Sequence, residues 1–95
     1  MELIHEQNRI FATDDSGKTV AEVLFPDAGE GLVRITSTRV DPSLRGQGVA
    51  ARLLEAAARQ LRSQGKKAVP VCSYAQVWFE RNSAYADLLA KDPGQ

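Results

Sequence analysis

The 95-residue chain has a single cysteine, which rules out an internal disulfide and a cysteine-based structural zinc site. It has a single histidine, His5, so no histidine cluster can bind a metal. It lacks any apolar run long enough to cross a bilayer and opens on no secretory segment. It also lacks an excess charge: twelve basic residues balance twelve acidic ones, so bulk attraction to nucleic acid or anionic lipid is not expected. There is no internal repeat and no low-complexity linker. These absences leave a single domain over residues 1–95, stabilised by packing alone and expected to be cytoplasmic.

Local patterns give the elements. Ile10, Phe11 and Ala12 read as a first strand, and Asp14-Asp15-Ser16-Gly17 as a turn with side-chain acceptors and a glycine for positive φ. Thr19 to Phe25 is a second strand, stopped by Pro26. Asp27-Ala28-Gly29-Glu30-Gly31 reads as another turn, and Leu32 to Val40 as a third strand. Short turns between successive strands predict an antiparallel meander. The period then changes. Ala50, Leu53, Leu54, Ala57 and Leu61 recur at helical spacing, with Arg52, Glu55, Arg59 and Arg62 on the other face and Gly65 as the stop. Lys67 to Cys72 follows as a short strand. Strand, helix and strand make a βαβ unit, so Leu32–Val40 and Ala68–Cys72 are expected to be parallel neighbours. Ser73 and Gln76 form a candidate capping box for a second helix, with Ala75, Trp78 and Phe79 on its buried side. A last short helix is expected around Tyr85 to Ala90. The fold class is α+β, a mixed sheet around one parallel pair.

The stretch Val40-Asp41-Pro42-Ser43-Leu44-Arg45-Gly46-Gln47-Gly48-Val49-Ala50-Ala51 joins a strand to a helix through a glycine-bearing turn. Bare N–H groups at the positive end of a helix suit a phosphate. Gly46 and Gly48 are read as sites where a Cβ would crowd phosphate oxygens. Gly46-Gln47-Gly48-Val49-Ala50-Ala51 formally fits the dinucleotide fingerprint, but that reading needs an acid at the end of the next strand, and here that strand ends in Cys72. No Gly-Lys-Ser/Thr follows, which excludes a P-loop. Cys72 ends a strand just ahead of the second helix, at the sheet edge where ligands of open α/β arrangements gather. A buried structural thiol is the other reading of a lone cysteine.

Arg45-Gly46-Gln47-Gly48-Val49-Ala50 also satisfies R-x-x-G-x-A and resembles the acetyl-coenzyme A signature of the GCN5-related N-acetyltransferases (GNAT). With the Val69-Pro70-Val71-Cys72 segment and the strands-first order, the chain is similar to the small YjdJ-type subgroup of that superfamily. The resemblance implies a minimal GNAT-like fold: an antiparallel meander, a βαβ unit with a splayed parallel pair, and C-terminal helices. It implies that Arg45, Gly46, Gln47, Gly48, Val49 and Ala50 hold the cofactor pyrophosphate. The acyl-pantetheine arm would lie in the splay, bonded to backbone groups near Thr38 and Val40. It implies a catalytic role for Cys72, either as the acid that protonates departing coenzyme A or as a nucleophile that carries the acetyl group. The acceptor would be a small amine or an exposed protein amine.

The chain departs from the pattern of the family it resembles in three places. Phe79 stands where larger relatives carry a tyrosine acid, leaving Tyr74 as the other candidate beside Cys72. Ile35-Thr36-Ser37-Thr38 and Asn82-Ser83-Ala84-Tyr85 each lack a histidine that members of the subgroup carry. These departures keep open a noncatalytic module that binds coenzyme A or acetyl-coenzyme A as a sensor or docking domain.

Overall fold

A computed structural model describes residues 1–94. Seven strands come in the order β1 (Ile4–His5), β2 (Arg9–Thr13), β3 (Thr19–Leu24), β4 (Asp27–Gly29), β5 (Leu32–Ile35), β6 (Ser37–Val40) and, after the first helix, β7 (Lys67–Pro70). The helices are α1 (Val49–Ser63) and α2 (Ser73–Arg81), with 3₁₀ turns at Pro42–Leu44 and Ser83–Leu88. The α+β class expected from the sequence is the one found: an antiparallel sheet ordered β1-β2-β3-β6 beside a smaller sheet ordered β4-β5-β7.

Alternation in β2 and β3 puts Ile10 and Ala12 opposite Val23 and Ala21 on one face, where all four are essentially inaccessible. Helix α1 covers that face with Val49, Leu53, Leu54, Ala57, Ala58 and Leu61. Each fully buried leucine contributes roughly 1.5–3 kcal/mol relative to an exposed one. The helix ends as the sequence indicates. Gly65 adopts φ +68°, its N–H donates to the Arg62 carbonyl at 3.1 Å, and the Lys66 N–H donates to the Leu61 carbonyl at 2.9 Å. This pair of bonds is the Schellman arrangement. On the opposite sheet face, Arg9 lies over the Phe11 ring and, with Arg39, brackets Glu22.

The stretch expected as one strand, Leu32–Val40, is two. Val33 and Ile35 are buried in β5, whereas Thr38 and Val40 are the inward residues of β6, so the burial parity slips by one residue between them. The Thr36 N–H still donates to the Leu24 carbonyl at 3.0 Å while Ser37 is the register partner of Leu24. Two residues opposite one is a bulge, and a bulge bends the strand that carries it. As a result only β5 runs parallel to β7, with Leu32 beside Lys67 and Ile35 beside Pro70, while β6 pairs antiparallel with β3. The expected parallel neighbourhood of Leu32–Val40 and Ala68–Cys72 therefore covers only its first half.

Three smaller expectations are also corrected. Asp27–Gly29 is not all turn: it pairs with β5 as a short strand with a register shift. The last helix around Tyr85–Ala90 is a 3₁₀ turn that ends at Leu88, because Leu89 instead bridges to Ala68. The capping box at Ser73 does not form. Cys72 is the N-cap residue of α2, and the Gln76 side-chain amide donates back to the carbonyls of Pro70 and Val71 at 3.3 and 3.0 Å.

Candidate cofactor cleft and the strand splay

The turn leading into α1 satisfies its own groups and fixes the chain direction. Asp41 donates its N–H to the Val20 carbonyl at 2.7 Å. Its Oδ1 accepts from the Ser43 N–H at 3.0 Å and the Ser43 hydroxyl at 2.8 Å. The Ser43 backbone bond, helped by its hydroxyl and by Lys18, holds the Asp41 carboxyl below the usual carboxylate range. Pro42 presets the following 3₁₀ turn, which closes when the Arg45 N–H reaches the Pro42 carbonyl at 3.3 Å.

Beyond that turn the bonding stops. Among the described residues, the N–H groups of Gly46, Gln47, Gly48, Val49, Ala50 and Ala51 find no acceptor; the first bond of α1 runs from Arg52 to the Gly48 carbonyl at 3.1 Å. The N-cap, Gly48, has no side chain to cap the helix, and no acidic residue stands in the first turn. A run of unmatched donors at the positive end of a fifteen-residue helix, with no resident carboxylate, is chemically suited to an oxyanion. Gly46 and Gly48 hold φ of +82° and +72°, a region costly for residues with a Cβ. A Cβ built at either would meet nothing within 4 Å, so in the free protein these glycines are required by backbone conformation rather than by crowding.

These residues line a cleft of about 210 Å³ together with Val40, Leu44, Ala50, Ala51 and Tyr74. Arg45, Gly46, Gly48, Val49 and Ala50 all belong to its wall; Gln47 is at the exposed tip of the loop and does not. Leu44, Ala51 and Tyr74 are wall residues that the glycine pattern did not single out for binding. The sequence offers Tyr74 as a candidate acid or an amphipathic packing residue, not as a wall of the cofactor cleft. Tyr74 is half exposed.

Thr38 and Cys72 lie apart from this cleft, where the strands diverge. The last rungs between β5 and the β7 end run from the Val71 and Cys72 N–H groups to the Ile35 carbonyl, at 3.0 and 3.1 Å. Past Ile35, β6 stays with β3 and the chain after Pro70 turns into α2. The Asp41–Val20 bond sets the phase of the β3–β6 ladder. Because antiparallel pairing alternates, Ser37 and Arg39 bond β3, and the backbone groups of Thr38 and Val40 face the open edge. Thr38 Oγ1 and Cys72 Sγ are 3.4 Å apart at this edge. Thr38 is 9% exposed and the one buried polar side chain among the described residues. Cys72 is partly buried.

Phe79 is buried in the core and packs edge-on against Trp78, ring centroids 5.0 Å apart, so it offers no proton. His5 pairs with the Gln60 side chain at 2.8 Å, in β1 and outside the loop motif. The cations at the far end of α1 are occupied: Arg59 by Glu55, Arg62 by Asp87, Lys66 by Asp27. Among the described residues there is no cluster of three metal-ligating side chains and no helix long and apolar enough to cross a membrane.

The model of the family described as GCN5-related N-acetyl-transferase matches residues 9–88. The solved structure of a GCN5-like candidate N-acetyltransferase from Staphylococcus aureus is 28% identical, covering 94% of this chain and 87% of its own, with a TM-score of 0.77. A GNAT family N-acetyltransferase from Escherichia coli, solved in complex with CoA, is 26% identical over 92% of this chain, TM-score 0.61. A Mycobacterium tuberculosis protein solved with CoA shares the fold at 19% identity over 81% of this chain, TM-score 0.64. The present chain spans about half the length of the last two, 53% and 48%. No curated protein matches it by sequence.

Proposed function

Because the chain belongs to the GCN5-related N-acetyltransferase family, we propose that it is an acetyl-coenzyme A-dependent N-acetyltransferase of the small YjdJ type. In this reading residues 1–95 form one acyl-CoA-binding domain working in the cytoplasm on a small amine or an exposed protein amine. The observation that carries the proposal is the run of unmatched N–H groups from Gly46 to Ala51 at the uncapped start of α1.

The residues fit coenzyme A in three places. The loop N–H groups hold the pyrophosphate, and Arg45 adds a full positive charge at the cleft wall. The edge-facing backbone groups of Thr38 and Val40 extend the sheet onto the pantetheine arm. Cys72 stands at the end of that edge, within reach of Thr38. When bound, acetyl-coenzyme A supplies an activated thioester carbonyl. Fixing it beside the splay makes attack by an amine effectively unimolecular.

Cys72 serves in one of two ways. As a general acid it gives its proton to the departing thiolate and regains one from the acetylated amine. As a nucleophile its sulfur would take the acetyl group as a thioester while its proton goes to the departing coenzyme A thiolate, and the amine would then take the acetyl group and return a proton to the Cys72 sulfur. Phe79 and the absent histidines leave no imidazole at these family positions to deprotonate the acceptor, and the phenol that remains near the cleft is Tyr74, so an amine that is neutral on arrival is favoured. The same absences support the second reading, a noncatalytic coenzyme A-binding module.

Mixing the protein with acetyl-coenzyme A and a panel of amines, and following release of free thiol, separates the two. Thiol release that depends on a particular amine supports the enzyme. Binding without turnover across the panel supports the module.

A further inference from the structure

The acceptor has to reach the thioester from a side that the cofactor leaves open. Val40, an inward residue of β6, and the first turn of α1 line the loop cleft, so a ligand held there comes to the splay on the α1 face of the sheets. Thr36 and Val71 at the splay are exposed, as is Arg39 on the opposite face. Beside them lies a hollow of about 530 Å³, within the range of small-molecule sites, lined by Val69, Pro70, Ala90, Lys91 and Asp92. Resting on the acetyltransferase reading above, we propose that this hollow recognises the acceptor, and that Lys91 selects a small amine bearing a carboxylate a few bonds from its nitrogen.

Face, reach and charge support it. Val33 and Ile35 point into the core, so Arg34 between them points away, and its register partner Val69 shares that outer face. The C-terminal segment completes the wall. Leu89 bridges to Ala68 and the Ala90 N–H donates to the Ala68 carbonyl at 3.0 Å, which lays the chain before Lys91 alongside β7. Pro70 stands two residues ahead of Cys72, roughly 7 Å along an extended chain, so a molecule of a few bonds spans from the hollow to the splay. The acid in the wall is already matched: Arg34 holds both oxygens of Asp92, at 2.9 and 2.7 Å. On the adjoining sheet Glu22 is shared by Arg9 and Arg39, one carboxylate against two guanidinium groups. Lys91 is exposed and makes no ion pair or side-chain hydrogen bond among the described residues. This face thus has positive charge to spare at the hollow, which draws an anionic acceptor and disfavours one whose far end is a second cation.

The test is amine-dependent thiol release from acetyl-coenzyme A with matched acceptors: the α-amides of glutamate and aspartate against those of glutamine and asparagine. Each pair differs by one charge, and all four carry an α-amine that titrates near about 8, low enough to be partly neutral on arrival. The wild type should show a kcat/KM about tenfold higher for the acidic member, the scale of one hydrogen bond to a charged group, with the difference mainly in KM. Lys91→Ala should bring the acidic amides down to the level of the neutral ones, and Lys91→Glu should invert the order. Equal kcat/KM within each pair for the wild type, or a preference that survives in Lys91→Ala and vanishes in Arg39→Ala, overturns the assignment and leaves the acetyltransferase reading standing. Thiol release with other amines but with none of these four overturns it in the same way. No release with any amine, although coenzyme A binds, overturns the acetyltransferase reading itself, and this inference with it.

Discussion

The Thr38 hydroxyl and the Cys72 thiol meet at 3.4 Å, Thr38 in β6 and Cys72 at the N-cap of α2 just past the end of β7. Thr38 is placed there by the bulge at Thr36, which rotates β6 so that its even residues point inward. Cys72 is placed there by the last rung to Ile35 and by the start of α2. The contact thus ties the one cysteine of the chain to the strand edge proposed to hold the acyl arm.

If Cys72 takes part in the chemistry, Cys72→Ala should lower amine-dependent thiol release by about a hundredfold, the usual scale for losing a positioned acid or nucleophile. The dissociation constant for coenzyme A should be unchanged. Single-turnover kinetics beside a binding titration would show this. Turnover equal to wild type removes Cys72 from the mechanism.

Placing a carboxylate among the unmatched donors should separate stability from binding. Ala51 is the third helical residue of α1, where a glutamate can reach back to the N-cap N–H and favours the dipole by about 0.3–1 kcal/mol. Ala51→Glu should therefore melt no lower than wild type and bind coenzyme A at least tenfold more weakly. Unfolding temperature and calorimetric affinity, measured on the same preparation, give the two readings.

Gly48 adopts φ +72° with free space where a Cβ would go. Gly48→Ala should cost about 1–2 kcal/mol through backbone conformation alone, seen as a lower urea midpoint with an unchanged slope. A neutral substitution would mean that the loop relaxes to a negative φ.

Only part of this site could be read from the amino acids. Pro42, Gly46 and Gly48 announce a turn and a helix start because proline and glycine restrict or release φ directly, and Leu53, Leu54, Ala57 and Leu61 announce α1 by period. The bulge at Thr36 is invisible because Arg34-Ile35-Thr36-Ser37-Thr38 has strand propensity throughout; only pairing with β3 on one side and β7 on the other shows where it breaks. The expected capping box fails because Gln76 finds two carbonyls left free where β7 ends. The hollow at Lys91 depends on the C-terminal segment lying along β7, a contact that no local pattern carries.

Acid should loosen the C-terminal segment first. Arg34 grips both carboxylate oxygens of Asp92, at 2.9 and 2.7 Å. That grip, with the Gly94 N–H, lowers the Asp92 carboxyl to about 2, against about 3.9 when unfolded. A depressed carboxyl stabilises the fold above its unfolded value and loses that contribution as pH falls toward its folded value. Stability should therefore decline between about pH 4 and pH 2, and Asp92→Asn should flatten that part of the pH profile of urea unfolding.

The central claim is that the donors from Gly46 to Ala51 bind the pyrophosphate of coenzyme A, and its most direct test is a calorimetric titration of the protein with coenzyme A. The account predicts saturation at one site per chain, with a thermal stabilisation of about 2.7 kcal/mol at a hundredfold excess over the dissociation constant. Absence of heat together with an unshifted melting temperature at millimolar coenzyme A would contradict it.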